Sequence, residues 1–277
     1  MKTLPYNDLG NWIRKMFPFR VQKISVDAGF TCPNRDGRLS VHGCTYCDNR
    51  TFSPSYCNRN KPIREQIEEG KAFFSRKYPD MKYLAYFQSF TNTYGTVEEL
   101  RQRYEEALAV EDVVGLVIGT RPDCVDEEKL DYLAGLNKKH FIIVEYGIES
   151  ANDDTLRRIN RGHTFETCKK AIKQTKERGI ITGGHIIIGL PGEDQKESLR
   201  QAPIISECGL SENTPDADNQ RYKTCKRIHG KTVSSVQRGR IHSVNIRIYP
   251  TSKQRHYLRT LCKPVAQRTV DCAKMGY

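Results

Sequence analysis

At 277 residues, 37% of them hydrophobic, the chain can bury a sizeable core as one large domain, or one domain with an appendage. No stretch approaches the roughly 20 apolar residues of a membrane span. The opening MKTLPYNDLGNWIRKMFPF has neither a long apolar run nor a small-residue cleavage site, so membrane and secreted classes are not expected. The net charge of +12 lies mostly in residues 207–277, which hold 14 Lys and Arg against 5 Asp and Glu; the nearly balanced body says little about nucleic-acid partners. Ten cysteines without a secretion signal suit a reducing compartment, and the cytoplasm is the expected location.

Residues 1–20 carry Tyr6, Trp12, Phe17 and Phe19, aromatics expected to pack on the core or flank a site. Gln22–Val26 alternates as a short strand. It feeds a loop rich in Gly, Asn and Asp, CPNRDGRLSVHGCTYC, with Cys32, Cys44 and Cys47 at C-x11-C-x2-C. Cys44 and Cys47 are spaced to grip one metal centre, and Cys32 can fold over as a third ligand. Structural zinc sites close with four ligands, whereas a cubane on three thiolates keeps one iron open. A lone CxxC also fits half a zinc ribbon or a redox pair, but no second CxxC follows: Cys57, Cys124, Cys168, Cys208, Cys225, Cys262 and Cys272 stand singly.

Pro62–Tyr78 reads as a helix with Ile63, Ile67, Phe73 and Phe74 on one sloping face. Strand Tyr83–Phe87 ends in Gln88-Ser-Phe-Thr-Asn-Thr-Tyr94, dense in hydroxyls and amides. Thr96-Val-Glu-Glu99 is a capping box opening a helix to about Val110. Val113–Gly119 is apolar throughout, as a buried parallel strand should be, and leads into Arg121 and Asp123, which can face a site, and Cys124, read as a buried spectator thiol. Glu127–Asn137 is helical. Strand Phe141–Tyr146 runs into Gly147-Ile-Glu149-Ser150; Glu145 within it is a carboxylate that needs a partner if buried. After a short helix, Asn152–Ile159, comes Asn160-Arg-Gly-His163. His163 reads as a cap or packing residue. Thr164–Arg178 is an amphipathic helix stopped by Gly179. Strand Ile180–Ile188 ends in Gly189-Leu-Pro-Gly-Glu193, and a helix covers Gln195–Ser206.

Five βα units in regular alternation argue for parallel strands with helices outside. The sixth strand expected next is missing: beyond about Glu207 neither apolar period survives. One reading is a basic RNA-binding arm; the preferred one is a frame-shifted C-terminal half. Back-translated from Ser211 and read one base later, the codons can give LKTLQMQIIKGTRLAK, and the end, Asp271–Gly276 with the bases flanking it, can give LIAPKWG. The chain therefore divides into a core, 1–206, and an aberrant basic tail, 207–277, expected to be poorly ordered.

The cysteine loop, VEYGIES and GHIIIGLPGE, in that order, resemble the radical S-adenosylmethionine (SAM) superfamily, above all bacterial relatives of the elongator catalytic subunit and the coproporphyrinogen-oxidase branch. The resemblance implies an α/β fold, a partial (β/α)6 TIM-like barrel, with its working face at the strand C-termini. It implies a 4Fe–4S cluster on Cys32, Cys44 and Cys47, and reductive cleavage of SAM to a 5′-deoxyadenosyl radical. It places Tyr46 near the adenine, Ser89, Thr91 and Asn92 near the SAM amino group, and Glu149 and Ser150, less firmly Glu145, near the ribose and carboxylate. It lays the Gly189 backbone flat against the adenine. Arg161 suits the SAM carboxylate because its fork binds carboxylate bidentately. An electron donor such as flavodoxin or ferredoxin is implied, and tRNA wobble uridine is the suggested target. A porphyrin or other small molecule is the alternative, and a zinc-containing nucleic-acid-binding module is the non-enzymatic one.

Overall fold

Seven strands form one sheet in the order β1 to β7. They are β1 Arg20–Val26, β2 Met81–Phe87, β3 Val113–Thr120, β4 Phe141–Glu149, β5 Ile181–Ile188, β6 Lys223–Ile228 and β7 Ile241–Ile246. The computed structural model describes residues 9–48, 53–75 and 80–210 and the backbone of 223–228 and 241–246. Strands β1 to β6 are parallel, and β7 returns antiparallel to β6. The first five, alternating with helices, make the half-barrel expected from the pattern.

The helices are α1 Leu9–Met16, α2 Ile63–Ser75, α3 Val97–Leu108, α4 Glu127–Asn137, α5 Asp153–Arg158, α6 Phe165–Glu177 and α7 Gln195–Glu207. Their starts follow the sequence signals. Thr96 and Glu99 close the capping box of α3, and Asp126, Asn152, Thr164 and Asp194 cap α4, α5, α6 and α7. None of the described helices is long and apolar enough to cross a membrane.

Alternation along the strands gives the sheet two different faces. Tyr83, Ala85, Phe87, Leu116, Ile118, Ile142, Val144 and Tyr146 pack into the large core under the helices. Leu84, Tyr86, Val117 and Ile143 turn the other way, where Trp12 and Ile13 of α1 join them. Phe17 meets the Phe141 ring edge-on at 4.9 Å. Trp12 and Phe17 thus plug one end of the concave face and leave its C-terminal end open, while Phe19 is exposed and Tyr6 lies outside the described residues.

Three expectations need correction. Phe73 is not on the buried face of α2: it is 61% exposed, because at 100° per residue it stands far round the helix from Ile63 and Ile67, while Phe74 packs on the core. Strand β4 runs through Gly147-Ile-Glu149 instead of stopping at Tyr146, its register shifting between Gly147 and Glu149. A sixth strand does follow α7: β6 pairs in parallel with β5 from Gly184↔Lys223 to Ile188↔Arg227. Backbone pairing along the open edge of β5 supplies what side-chain periodicity did not signal. The rest of the tail, with its expected disorder, lies outside the described residues. Leu210 is fully buried in the main core, so packing continues past the boundary placed at 206.

Close strand approach gives a stability prediction. A Cβ on Gly115 would stand 1.9 Å from the Phe141 carbonyl oxygen on the neighbouring strand, whereas one on Gly135 of α4 meets nothing within 4 Å. Gly115→Ala should destabilise the fold by about 1–3 kcal/mol, and Gly135→Ala should stabilise it by about 0.5–1 kcal/mol, both read by urea unfolding.

Candidate active site

The cysteine loop is built by its own backbone. The Cys32 carbonyl accepts from the amides of Arg35 and Asp36, the Pro33 carbonyl from Leu39, and the Asn34 carbonyl from Gly43 at 2.7 Å. The eleven-residue gap is thereby folded into a side loop that returns Cys44 towards Cys32. Asn160 pins this loop to the barrel: its side chain donates to the Gly43 carbonyl at 2.8 Å, and its own carbonyl accepts from Asn34 Nδ2 at 2.5 Å. Asn160 holds a positive φ of 55°, a conformation that asparagine tolerates better than most residues. The Asn160-Arg-Gly segment is therefore a strut beneath the cysteines.

All three thiols line one cavity at the strand C-termini, with Tyr46, Thr91, Glu149 and Arg161. Arg35, Tyr86, Gln88, Arg121, Glu145 and His185 share its wall. Arg35 gathers the thiols electrostatically: it donates to the Cys47 carbonyl at 2.9 Å, and Cys47 first, then Cys32 and Cys44, raise its pKa. Arg161 is 6% exposed, donates to the Gly147 carbonyl at 2.7 Å, lies 3.6 Å from Cys44 Sγ, and reaches Glu149 at 4.0 Å. A Cβ on Gly147 would stand 2.5 Å from Arg161 Nη2, so glycine there makes room for the guanidinium. Glu149, at a φ of 65°, turns its carboxylate to this arginine.

Four cavity-lining residues carry a buried polar atom with no hydrogen-bond partner: Thr91 Oγ1, Arg121 Nη1, Glu149 Oε2 and Arg161 Nε. Such atoms are costly unless a ligand satisfies them. Two cations, a carboxylate and a hydroxyl around three soft sulfurs fit an iron–sulfur centre with a zwitterionic ligand. Among the described residues no group of three or more His, Cys, Asp or Glu is arranged to hold a single metal ion.

Four other sequence candidates lie off the cavity wall. Ser89 is 3.4 Å from the Ser53 hydroxyl. Asn92 donates to the Phe87 and Gly119 carbonyls and ties the ends of β2 and β3. Ser150 donates to Glu193 at 2.5 Å and Gln201 at 3.1 Å, fastening the end of β4 to α7. Gly189 turns the chain after β5 at a φ of 85°. Tyr86, Gln88 and His185 were missed by motif reading. Stepping by two along the concave face from Leu84, Val117 and Ile143 would have found the first two and Glu145, because the barrel interior and the cavity are one face.

Two predictions follow from the titratable groups. Burial pushes the thiols of Cys57, Cys124 and Cys168 up to about 12. Iodoacetamide at pH 8 on the metal-free folded chain should label the half-exposed Cys32 and Cys47 at least ~10-fold faster than these three, by mass spectrometry. His163 is pushed down to about 3, by burial first and then by Arg161 and Arg121. The unfolded chain takes up this proton near 6.5 and the folded chain does not, so stability should rise with pH between about 3 and 6.5. His163→Gln should flatten that dependence in urea titrations at pH 5 and 7.

The sequence profile of the Radical SAM superfamily matches residues 37–202. The chain is 39% identical over 202 residues to YtqA of Bacillus subtilis, covering 73% of this chain and 63% of that protein. It is 36% identical over 205 residues to YhcC of Escherichia coli K12, covering 74% and 65%. It thus spans less than two thirds of either relative. A shorter match, 32% identical over 94 residues, is to the tRNA uridine(34) acetyltransferase of Methanocaldococcus jannaschii, covering 34% of this chain and 17% of that one. With three thiols at the mouth of a parallel half-barrel, and a profile match across most of that barrel, the chain belongs to the Radical SAM superfamily.

Proposed function

We propose that the chain cleaves SAM reductively at a 4Fe–4S cluster held by Cys32, Cys44 and Cys47. The observation that carries this is the meeting, in one cavity, of three thiols with unsatisfied polar atoms on Thr91, Arg121, Glu149 and Arg161. When bound, the cluster and SAM supply a 5′-deoxyadenosyl radical. The protein's part is binding, orientation and exclusion of water. Arg161, fixed by the Gly147 carbonyl, offers its fork to the SAM carboxylate, and Glu149 balances its charge. Burial holds the Tyr46 phenol well above its ordinary pKa, so it meets the ligand as a neutral aromatic. The electron comes from a small donor such as flavodoxin or ferredoxin.

For the target we favour tRNA wobble uridine, supported by the partial match to the tRNA uridine(34) acetyltransferase. Anaerobically reconstituted protein, given SAM and dithionite, should release 5′-deoxyadenosine and methionine, and bulk tRNA should increase the yield. A colourless preparation holding zinc instead would favour the nucleic-acid module, and a yield indifferent to tRNA would favour a porphyrin or other small molecule. We also read residues 207–277 as out of frame. The coding nucleotide sequence tests this: an intact frame with no near-identical unshifted relative would sink it.

A further inference from the structure

The concave face carries a second polar cluster, beside the thiols and apart from Arg161, Glu149 and Tyr46. Glu145 of β4, 7% exposed, accepts from His185 Nε2 of β5 at 2.8 Å and pairs through its other oxygen with Lys23 Nζ of β1 at 3.3 Å. Tyr86 of β2 lines the cavity beside the same carboxylate, and Lys23 Nζ stands 4.0 Å from the centre of its ring. The neighbouring strands make room: Glu145 is flanked in register by Gly119 and Gly183, and a Cβ on Gly183 would come within 3.0 Å of Glu145 Cγ. Burial alone would raise the Glu145 carboxyl, but Lys23, then His185 and Tyr86, hold it well below the usual carboxylate range.

A buried ion pair adds little net stability over an apolar replacement of the same shape, so stability does not explain four polar groups spent on a barrel interior. The cluster is also not sealed in the core. Tyr86, Glu145 and His185 all line the cavity that holds the three thiols. A carboxylate that accepts from Nε2–H fixes the imidazole tautomer and leaves Nδ1 as the acceptor, the arrangement by which an acid orients a histidine base.

We propose that His185, oriented by Glu145, is the proton-accepting group of this cavity, and that the substrate presents it with an N–H or O–H. The proton passes to the Nδ1 lone pair, the substrate keeps the bonding electrons, and the Glu145 carboxylate balances the imidazolium. Glu145 is a positioning residue and His185 the catalytic one. Among the described residues, the charged and titratable groups around His185 are Glu145 from β4, Lys23 from β1 and Tyr86 from β2, with Arg121, Glu149 and Arg161 on the wall of the same cavity. The role in turnover rests on the proposed SAM chemistry; the dyad itself does not.

The test uses the full chain, anaerobically reconstituted. Diethyl pyrocarbonate modification of each histidine is followed by mass spectrometry across pH 6–8. The expected result is modification of His185 with a midpoint that falls by a pH unit or more in Glu145→Gln, about tenfold in the proton affinity, and rises in Lys23→Met, which removes the competing cation. No modification of His185 while the exposed His42 reacts, or one midpoint shared by all three proteins, would overturn the dyad. Should Glu145→Gln not fold, Lys23→Met still decides. In parallel, 5′-deoxyadenosine formed with bulk tRNA should follow the His185 midpoint and move with it; a profile that stays while the midpoint moves overturns the catalytic role. Absence of 5′-deoxyadenosine from the wild type would instead count against the SAM reading and leave the dyad to the modification result.

Discussion

Alanine at any one of Cys32, Cys44 or Cys47 should strip the reconstituted protein of iron and inorganic sulfide and turn a brown preparation colourless. Three thiolates are the minimum that holds a cubane with one open iron, so losing one leaves two anchors and two exposed irons. The loop makes the three interdependent. The Asn34–Gly43 hydrogen bond closes the side loop between Cys32 and Cys44, and Cys44 and Cys47 lie in one turn closed by the Cys47 amide on the Cys44 carbonyl at 3.0 Å. Cys124→Ala and Cys168→Ala are the controls: both thiols are buried and lie off the cavity wall, and both variants should keep their full iron and sulfide. Iron and sulfide assays on the five proteins decide the matter. Full loading of Cys32→Ala would show that the long first gap does not contribute a ligand.

Much of this arrangement is legible in the sequence because it is local. The C-x11-C-x2-C spacing, the capping box at Thr96–Glu99, the strand end before Gly189, and the run of five βα units are all read within windows of a few residues. What was harder to read depends on partners far apart in the chain. Glu145 and His185 are 40 residues apart and Lys23 and Glu145 are 122 apart, so no spacing rule joins them. They meet because parallel strands put alternate residues of β1, β4 and β5 on one face. Conversely, Ser150 reads as a site residue from its motif, yet its hydroxyl is taken by Glu193 and Gln201, which α7 brings from 43 and 51 residues away. The sixth strand escaped for a different reason: Lys-Thr-Cys-Lys-Arg-Ile has no apolar alternation, and only the waiting edge of β5 makes a strand of it.

Arg161 joins fold and chemistry most directly, and its replacement should separate them. In Arg161→Met the buried Glu149 carboxylate loses its cation and the Gly147 carbonyl its donor. A lost hydrogen bond to a charged group, together with an orphaned buried carboxylate, should cost about 2–4 kcal/mol in urea unfolding at pH 7. Burial alone would lower the Arg161 pKa, but Tyr46, Cys44 and Glu149 hold it well above the ordinary arginine value, so the wild-type charge is constant across the accessible pH range. Arg161→Lys keeps the charge but not the fork. An ammonium has three N–H donors on one nitrogen, but it cannot set two of them in parallel against a carboxylate while another holds the Gly147 carbonyl. It should recover most of the stability while SAM binding to the cluster-loaded protein stays at least ~10-fold weaker, about 1.4 kcal/mol. If lysine restored both equally, Arg161 would be a structural strut alone, and the carboxylate of SAM would have to be met by Arg121, the other buried arginine of the cavity wall.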